Sequence, residues 1–110
     1  MEWFVARLLI QSAIGDAREP GLCEEEIRLL HAASAGEAYE KAIQYGRANE
    51  CEYLNGEGQR VVWTFVGLQD LYRLEEQEIV DGLEVATVFH DEPVPPTSKE
   101  KLKVFAVPEN

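Results

Sequence analysis

Only one stretch of this chain has helical spacing, and it sits between stretches that alternate like strands. It runs from Ala33 to Cys51 (A-S-A-G-E-A-Y-E-K-A-I-Q-Y-G-R-A-N-E-C). Ser34 followed by Glu37 three residues on forms a capping box, in which a hydroxyl and a carboxylate satisfy orphan amides of the first turn. Ala38, Ala42, Tyr45 and Gly46 then recur at helical spacing, with Tyr39 and Ile43 beside them, while Glu37, Glu40, Lys41, Gln44 and Arg47 fill the other side. An apolar face built of Ala and Gly has little area to bury, so it must lie close against large side chains of a sheet. Gly46 costs a helix interior roughly 1 kcal/mol relative to Ala, a cost that close approach would offset.

The stretches around this helix read as strands. From Trp3 to Ser12 the residues Phe4, Ala6, Leu8 and Ile10 form an apolar set expected to face the helix, and Trp3, Val5, Arg7, Leu9 and Gln11 form the opposite set. That second face is half apolar, which is unusual for a face left in water. Ala13 to Leu22 holds Gly15, Asp16, Pro20 and Gly21 and reads as a loop. Glu24 to Ala33 is a second strand, antiparallel to the first, with Ile27, Leu29, His31 and Ala33 on one side and Glu26, Arg28, Leu30 and Ala32 on the other. Its acidic start, Glu24-Glu25-Glu26, reads as a solvated strand end.

After the helix, Glu52-Tyr53-Leu54 is a short pairing segment and Asn55-Gly56-Glu57-Gly58 is turn chemistry. Arg60 to Leu74 is the longest strand region, with Val61, Trp63 and Phe65 on one face and Val62, Thr64, Val66 and Leu68 on the other. Gly67 marks a bulge or bend, beyond which Asp70 and Tyr72 share one side and Leu71 and Arg73 the other. Leu83 to His90 alternates as a last core strand, with Leu83, Val85, Thr87 and Phe89 in one row. From Asp91 onward Pro93, Pro95 and Pro96 break regular structure. Lys99, Lys101 and Lys103 form a local basic patch, and Val104 to Val107 is an apolar tag that docks, pairs with an edge or stays free.

These patterns give an α+β domain over residues 1–90 with a tail over 91–110. The expected architecture is a mainly antiparallel sheet of four or five strands in the order β-β-α-β-β. One α-helix packs on one face, and an extra short strand can follow it. A chain of 110 residues with 45% hydrophobic and 28% charged content suits one folded domain. The net charge of −11 repels phosphate backbones and anionic membranes, so neither nucleic acid nor membrane is an expected partner. The start Met-Glu-Trp-Phe has no basic segment followed by an apolar core, and no apolar run approaches the ~20 residues of a span. A cytoplasmic chain with reduced Cys23 and Cys51 is expected. Cys23, Cys51, His31 and His90 lack the short spacings of a zinc site, so neither metal nor cofactor is expected.

Taken together, W-F-V-A-R-L-L-I, E-E-E-I-R-L-L-H-A-A-S-A-G-E-A-Y-E-K-A, W-T-F-V-G-L-Q-D-L-Y-R-L and D-G-L-E-V-A-T-V-F, in this order, resemble a small bacterial family, domain-of-unknown-function family 4288. The resemblance spans residues 3 to 90 and is most specific from Trp63 to Leu74. It implies a single-domain bacterial protein and supplies no catalytic residues.

The residues leave three function classes open. One helix shields two or three strands, so a far face carrying Trp3, Val5, Leu9 and Leu30 points to a non-enzymatic interaction module that buries that face in a homodimer. A small-molecule-binding protein or enzyme would use a pocket near His31, Asp70 and Tyr72, with Arg7 or Arg28 beside the last two. An acidic inhibitor or immunity-type protein would meet a basic partner. No Ser-His-Asp pattern, nucleophile elbow or H-E-x-x-H motif identifies a catalytic residue.

Overall fold

The computed structural model describes residues 1–16 and 19–105. The order is β1 (Glu2–Ile14), β2 (Glu19–Ala32), α1 (Ala35–Ala48), β3 (Cys51–Leu54) and β4 (Arg60–Arg73), followed by a 3₁₀ turn at Lys99–Lys101. The four strands form one antiparallel sheet in the order β2-β1-β4-β3. The fold is therefore α+β, with the single α-helix laid across β2, β1 and β4.

The helix is set by the features that mark it in the sequence. Ser34 is the N-cap, and its hydroxyl accepts from the Glu37 amide at 3.2 Å. Ala38, Ala42 and Gly46, four residues apart, are the buried positions. They meet Phe4, Ala6, Leu8, Leu30 and Ala32 from the sheet, with Phe65, Leu68 and Leu71 packed alongside. Tyr39 and Tyr45 flank this stripe and stay about half exposed. A Cβ on Gly46 would lie 2.4 Å from the Phe65 ring, so close approach is what the glycine permits. Ala42 is 0% exposed on the same stripe. Ala42→Leu is expected to lower stability by about 1–3 kcal/mol through overpacking, read as a lower denaturation midpoint at unchanged m-value.

Several expectations are corrected. Ala13–Leu22 is not a loop throughout: β1 runs to Ile14 and β2 starts at Glu19, so only residues 15–18 separate the two strands, with Gly15 at φ 76°. Gly21 serves packing, since a Cβ there would sit 2.3 Å from the buried Ser12 Oγ. Leu30 faces the helix rather than the far side, because it pairs with Phe4 in register and is 3% exposed. Leu68 joins Phe65 on the helix side. The register with β1 skips Val66 and then Gln69, so a bulge lies on each side of Gly67 (φ 146°).

The fourth strand of the sheet is the short β3, not Leu83–His90, which has no ladder partner and no regular structure. Alternation reports that a segment suits an extended conformation but not whether an edge is free to receive it. Every described residue from Thr87 to Phe105 is exposed; Ala106 and Val107 of the apolar tag lie outside the described residues. Removing residues 91–110 is expected to leave the circular dichroism spectrum and the sharpness of melting unchanged. An insoluble or broadly melting truncation would place the tail in the core.

Candidate functional site

The far face of the sheet carries the groups able to meet a partner. The register places Trp3 opposite His31, Val5 between Leu29 and Tyr72, and Arg7 between Ile27 and Asp70. The chain leaving β4 folds back over part of this face. The Leu74 amide donates to the Trp3 carbonyl at 3.0 Å. Gln77 clamps the same residue from both sides: its Oε1 accepts from the Trp3 amide at 2.6 Å, and its Nε2 donates to the carbonyls of Trp3 and Leu74. The Tyr72 hydroxyl donates to the Val85 carbonyl at 2.6 Å. Val5 and Leu74 are buried, so Val5 is not a free interface residue.

Between the sheet and this returning segment, the strap of residues 74–87, lies a cleft of about 750 Å³. Arg7, Asp70, Tyr72 and Arg73 line its sheet side, and Leu74–Glu76 and Val80–Thr87 complete it. Arg7 is held by Glu25 at 2.8 Å, and this carboxylate, reinforced by Asp70, favours the charged guanidinium. The Arg7 Nε is buried and has no hydrogen-bond partner among the described residues. Burial raises the Tyr72 pKa above the ordinary phenol value, Asp70 and Glu84 add to the rise, and Arg7 opposes it.

The strap thus depends on a neutral Tyr72. With the folded-state pKa raised, its contribution is fully present below the unfolded phenol pKa of ~10 and is lost as pH rises through the higher folded value. Proteolysis between residues 75 and 87 is expected to accelerate above that point, because tyrosinate cannot donate to Val85. Tyr72→Phe should be cleaved quickly at neutral pH too; equal cleavage of the two proteins would show that this bond does not hold the strap.

Of the pocket residues expected from the sequence, Asp70 and Tyr72 come together with Arg7. His31 does not join them: it stacks on Trp3, ring centroids 4.2 Å apart, and is exposed. Arg28 lies on the helix side, paired with Glu26 and 5.1 Å from the Tyr45 ring centroid. Sequence reasoning missed Gln77, because a clamp on two carbonyls and an amide has no sequence signature. It also missed Ile27 and Leu29 as the exposed apolar pair of the far face, at 47% and 44%. Cys23 and Cys51 are exposed thiols, and among the described residues no three His, Cys, Asp or Glu gather as a metal site. No helix among the described residues is long and apolar enough to cross a membrane.

The profile of a family described as Domain of unknown function (DUF4288) matches residues 3–87, well over half of the chain. The chain belongs to this family. The DUF4288 match ends at Thr87, so the unit it covers includes the strap as well as the sheet and helix. No curated protein and no solved structure matches the chain.

Proposed function

We propose that this protein is a small non-enzymatic interaction module of the bacterial cytoplasm that forms a homodimer through its sheet. The observation that supports this reading is the uncovered half of the far face. The strap lies over the β1–β4 side, while Ile27 and Leu29 on β2 stay about half exposed beside the half-buried Leu9. β2 is an edge strand of 14 residues, so its outer row of amides and carbonyls is unpaired within the sheet. An apolar row next to an open edge is the kind of surface that a second copy covers.

The charge of −11 per chain opposes pairing, so association strengthens as salt screens it. Sedimentation at micromolar concentration is expected to show a species of twice 12.4 kDa, more populated at moderate than at low salt. A single 12.4-kDa species under both conditions would overturn the proposal.

A second reading, a small-molecule-binding protein or enzyme, is favoured by one observation: Arg7, Asp70 and Tyr72 converge under the strap in a cleft of about 750 Å³. Asp70, Glu75, Glu76, Asp81 and Glu84 outnumber Arg7 and Arg73 in its lining, which suits a cationic ligand. Titration with a simple diamine at low ionic strength is expected to shift the Tyr72 ring resonances. Unmoved resonances at millimolar diamine would remove this reading.

A further inference from the structure

We infer that Asn55–Gly56 is a self-modifying site, where the Gly56 backbone nitrogen displaces the side-chain amide of Asn55 and water then opens the resulting imide to aspartate or isoaspartate. This inference is independent of the self-association proposed above.

The pair lies in the turn between β3 and β4. Asn55 builds that turn: its amide donates to the Gln59 carbonyl at 2.9 Å, and its carbonyl accepts from the Gly58 amide at 3.0 Å. The left-handed position is Gly58, at φ 77°. Gly56 is not needed for this geometry. Its φ is not positive, and a Cβ on it would meet nothing within 4 Å. What glycine leaves at this position is an exposed amide nitrogen with no side chain to shield it and no acceptor among the described residues. Such a nitrogen yields its proton to hydroxide more readily than one bonded in a ladder.

The same turn aims and activates the Asn55 side chain. Its Oδ1 accepts from the amides of Glu57 and Gln59, both at 2.9 Å, and its Nδ2 donates to Gln59 Oε1 at 3.3 Å. Bonding to the amide two residues on folds the carboxamide back over the intervening peptide, whose nitrogen belongs to Gly56. The reacting atoms are thus neighbours before reaction. Two backbone N–H groups on one oxygen are also the arrangement that stabilises a tetrahedral oxyanion.

In the first step hydroxide removes the Gly56 amide proton, the nitrogen bonds to Asn55 Cγ, and the electron pair moves to Oδ1. Collapse breaks the Cγ–Nδ2 bond and releases ammonia, which takes its last proton from water. Water then cleaves one of the two C–N bonds of the imide. Cleavage at Cγ gives aspartate; cleavage at the Asn55 backbone carbonyl gives isoaspartate, with the main chain rerouted through Cγ. Either product adds a negative charge, and isoaspartate also lengthens the turn by one carbon. β3 has only four residues, all exposed. Beyond its ladder it is held by the Glu52–Arg60 ion pair and the Tyr53–Trp63 hydrogen bond. A longer turn slackens the Leu54–Arg60 end of that ladder, so β3 is the element that loosens as the chain ages.

The test is incubation of the folded full chain in water enriched in heavy oxygen, followed by peptide mass spectrometry. Asn55 is expected to lose ammonia and gain one labelled oxygen, at a rate that rises with hydroxide and at least equals that of the same chain unfolded in guanidinium chloride. Gly56→Ala, checked by circular dichroism, is expected to slow conversion by about tenfold, because a Cβ shields the nitrogen and restricts the peptide. The amides of Cys51–Leu54 are expected to exchange hydrogen faster in the converted chain. A folded chain that converts more slowly than the unfolded one, or a Gly56→Ala chain that converts at the wild-type rate, overturns the inference.

Discussion

Leu8→Ala is expected to lower the unfolding free energy by about 2–5 kcal/mol, the range for emptying a filled core position. Leu8 is 0% exposed, lies in the middle of β1 between the two other long strands, and faces the helix stripe of Ala38 and Ala42. That stripe is too small to move in and refill the space, which argues for the upper part of the range. Domains of this size have total stabilities of about 5–15 kcal/mol, so the variant is near the limit of folding. Denaturant melts read by tryptophan fluorescence would measure it, with Trp3 and Trp63 on opposite faces of the sheet as reporters. A loss under 1 kcal/mol would mean that Leu8 is not at the centre of the core.

Gly46→Val is the second large effect, about 1–3 kcal/mol from overpacking. The physical cause is one neighbour: a Cβ at position 46 meets Phe65 Cδ1 and Cε1 at 2.4 Å and Cγ at 2.7 Å. Helix propensity alone pulls the other way, since replacing an interior Gly by Ala gains roughly 1 kcal/mol. The two effects separate in a double-mutant cycle. Gly46→Ala is expected to destabilise the wild-type protein but to be neutral or stabilising when Phe65 is Ala, with a coupling of about 0.5–3 kcal/mol. Additive behaviour would show that the ring moves aside freely and that Gly46 is needed for something else.

The helix was readable because its determinants are local. A Ser-to-Glu cap and small residues four apart need no knowledge of the rest of the chain, and the structure places Ser34, Ala38, Ala42 and Gly46 as that pattern implies. Strand periodicity carries less. Alternation showed that Leu30 and Ala32 share a face, but only the register with β1, where Leu30 meets Phe4, decides that this face is the helix side. Leu68 was misplaced because a bulge adds a residue without changing composition. Leu83–His90 was read as a fifth strand because alternation measures suitability, whereas pairing needs an edge. At the cleft, Asp70 and Tyr72 could be joined to Arg7 because all three sit on neighbouring strands at matching heights. His31 was misjoined to them because it lies on the opposite side of β1, where Trp3 takes it up.

The two bulges in β4 have a consequence for which changes in chain length the fold can accept. Phe65 and Leu71 both face the helix although Leu68 lies between them, because the extra residue Val66 inverts the alternation and the extra residue Gln69 restores it. Deleting either one alone would close its bulge and keep Asp70 and Tyr72 on the far face and Leu71 on the helix side. Deleting both would leave the facing of every later residue intact. Single losses at Val66 or Gln69 are therefore the length changes that β4 should accept, because the bulges hold the residues that no partner in β1 requires.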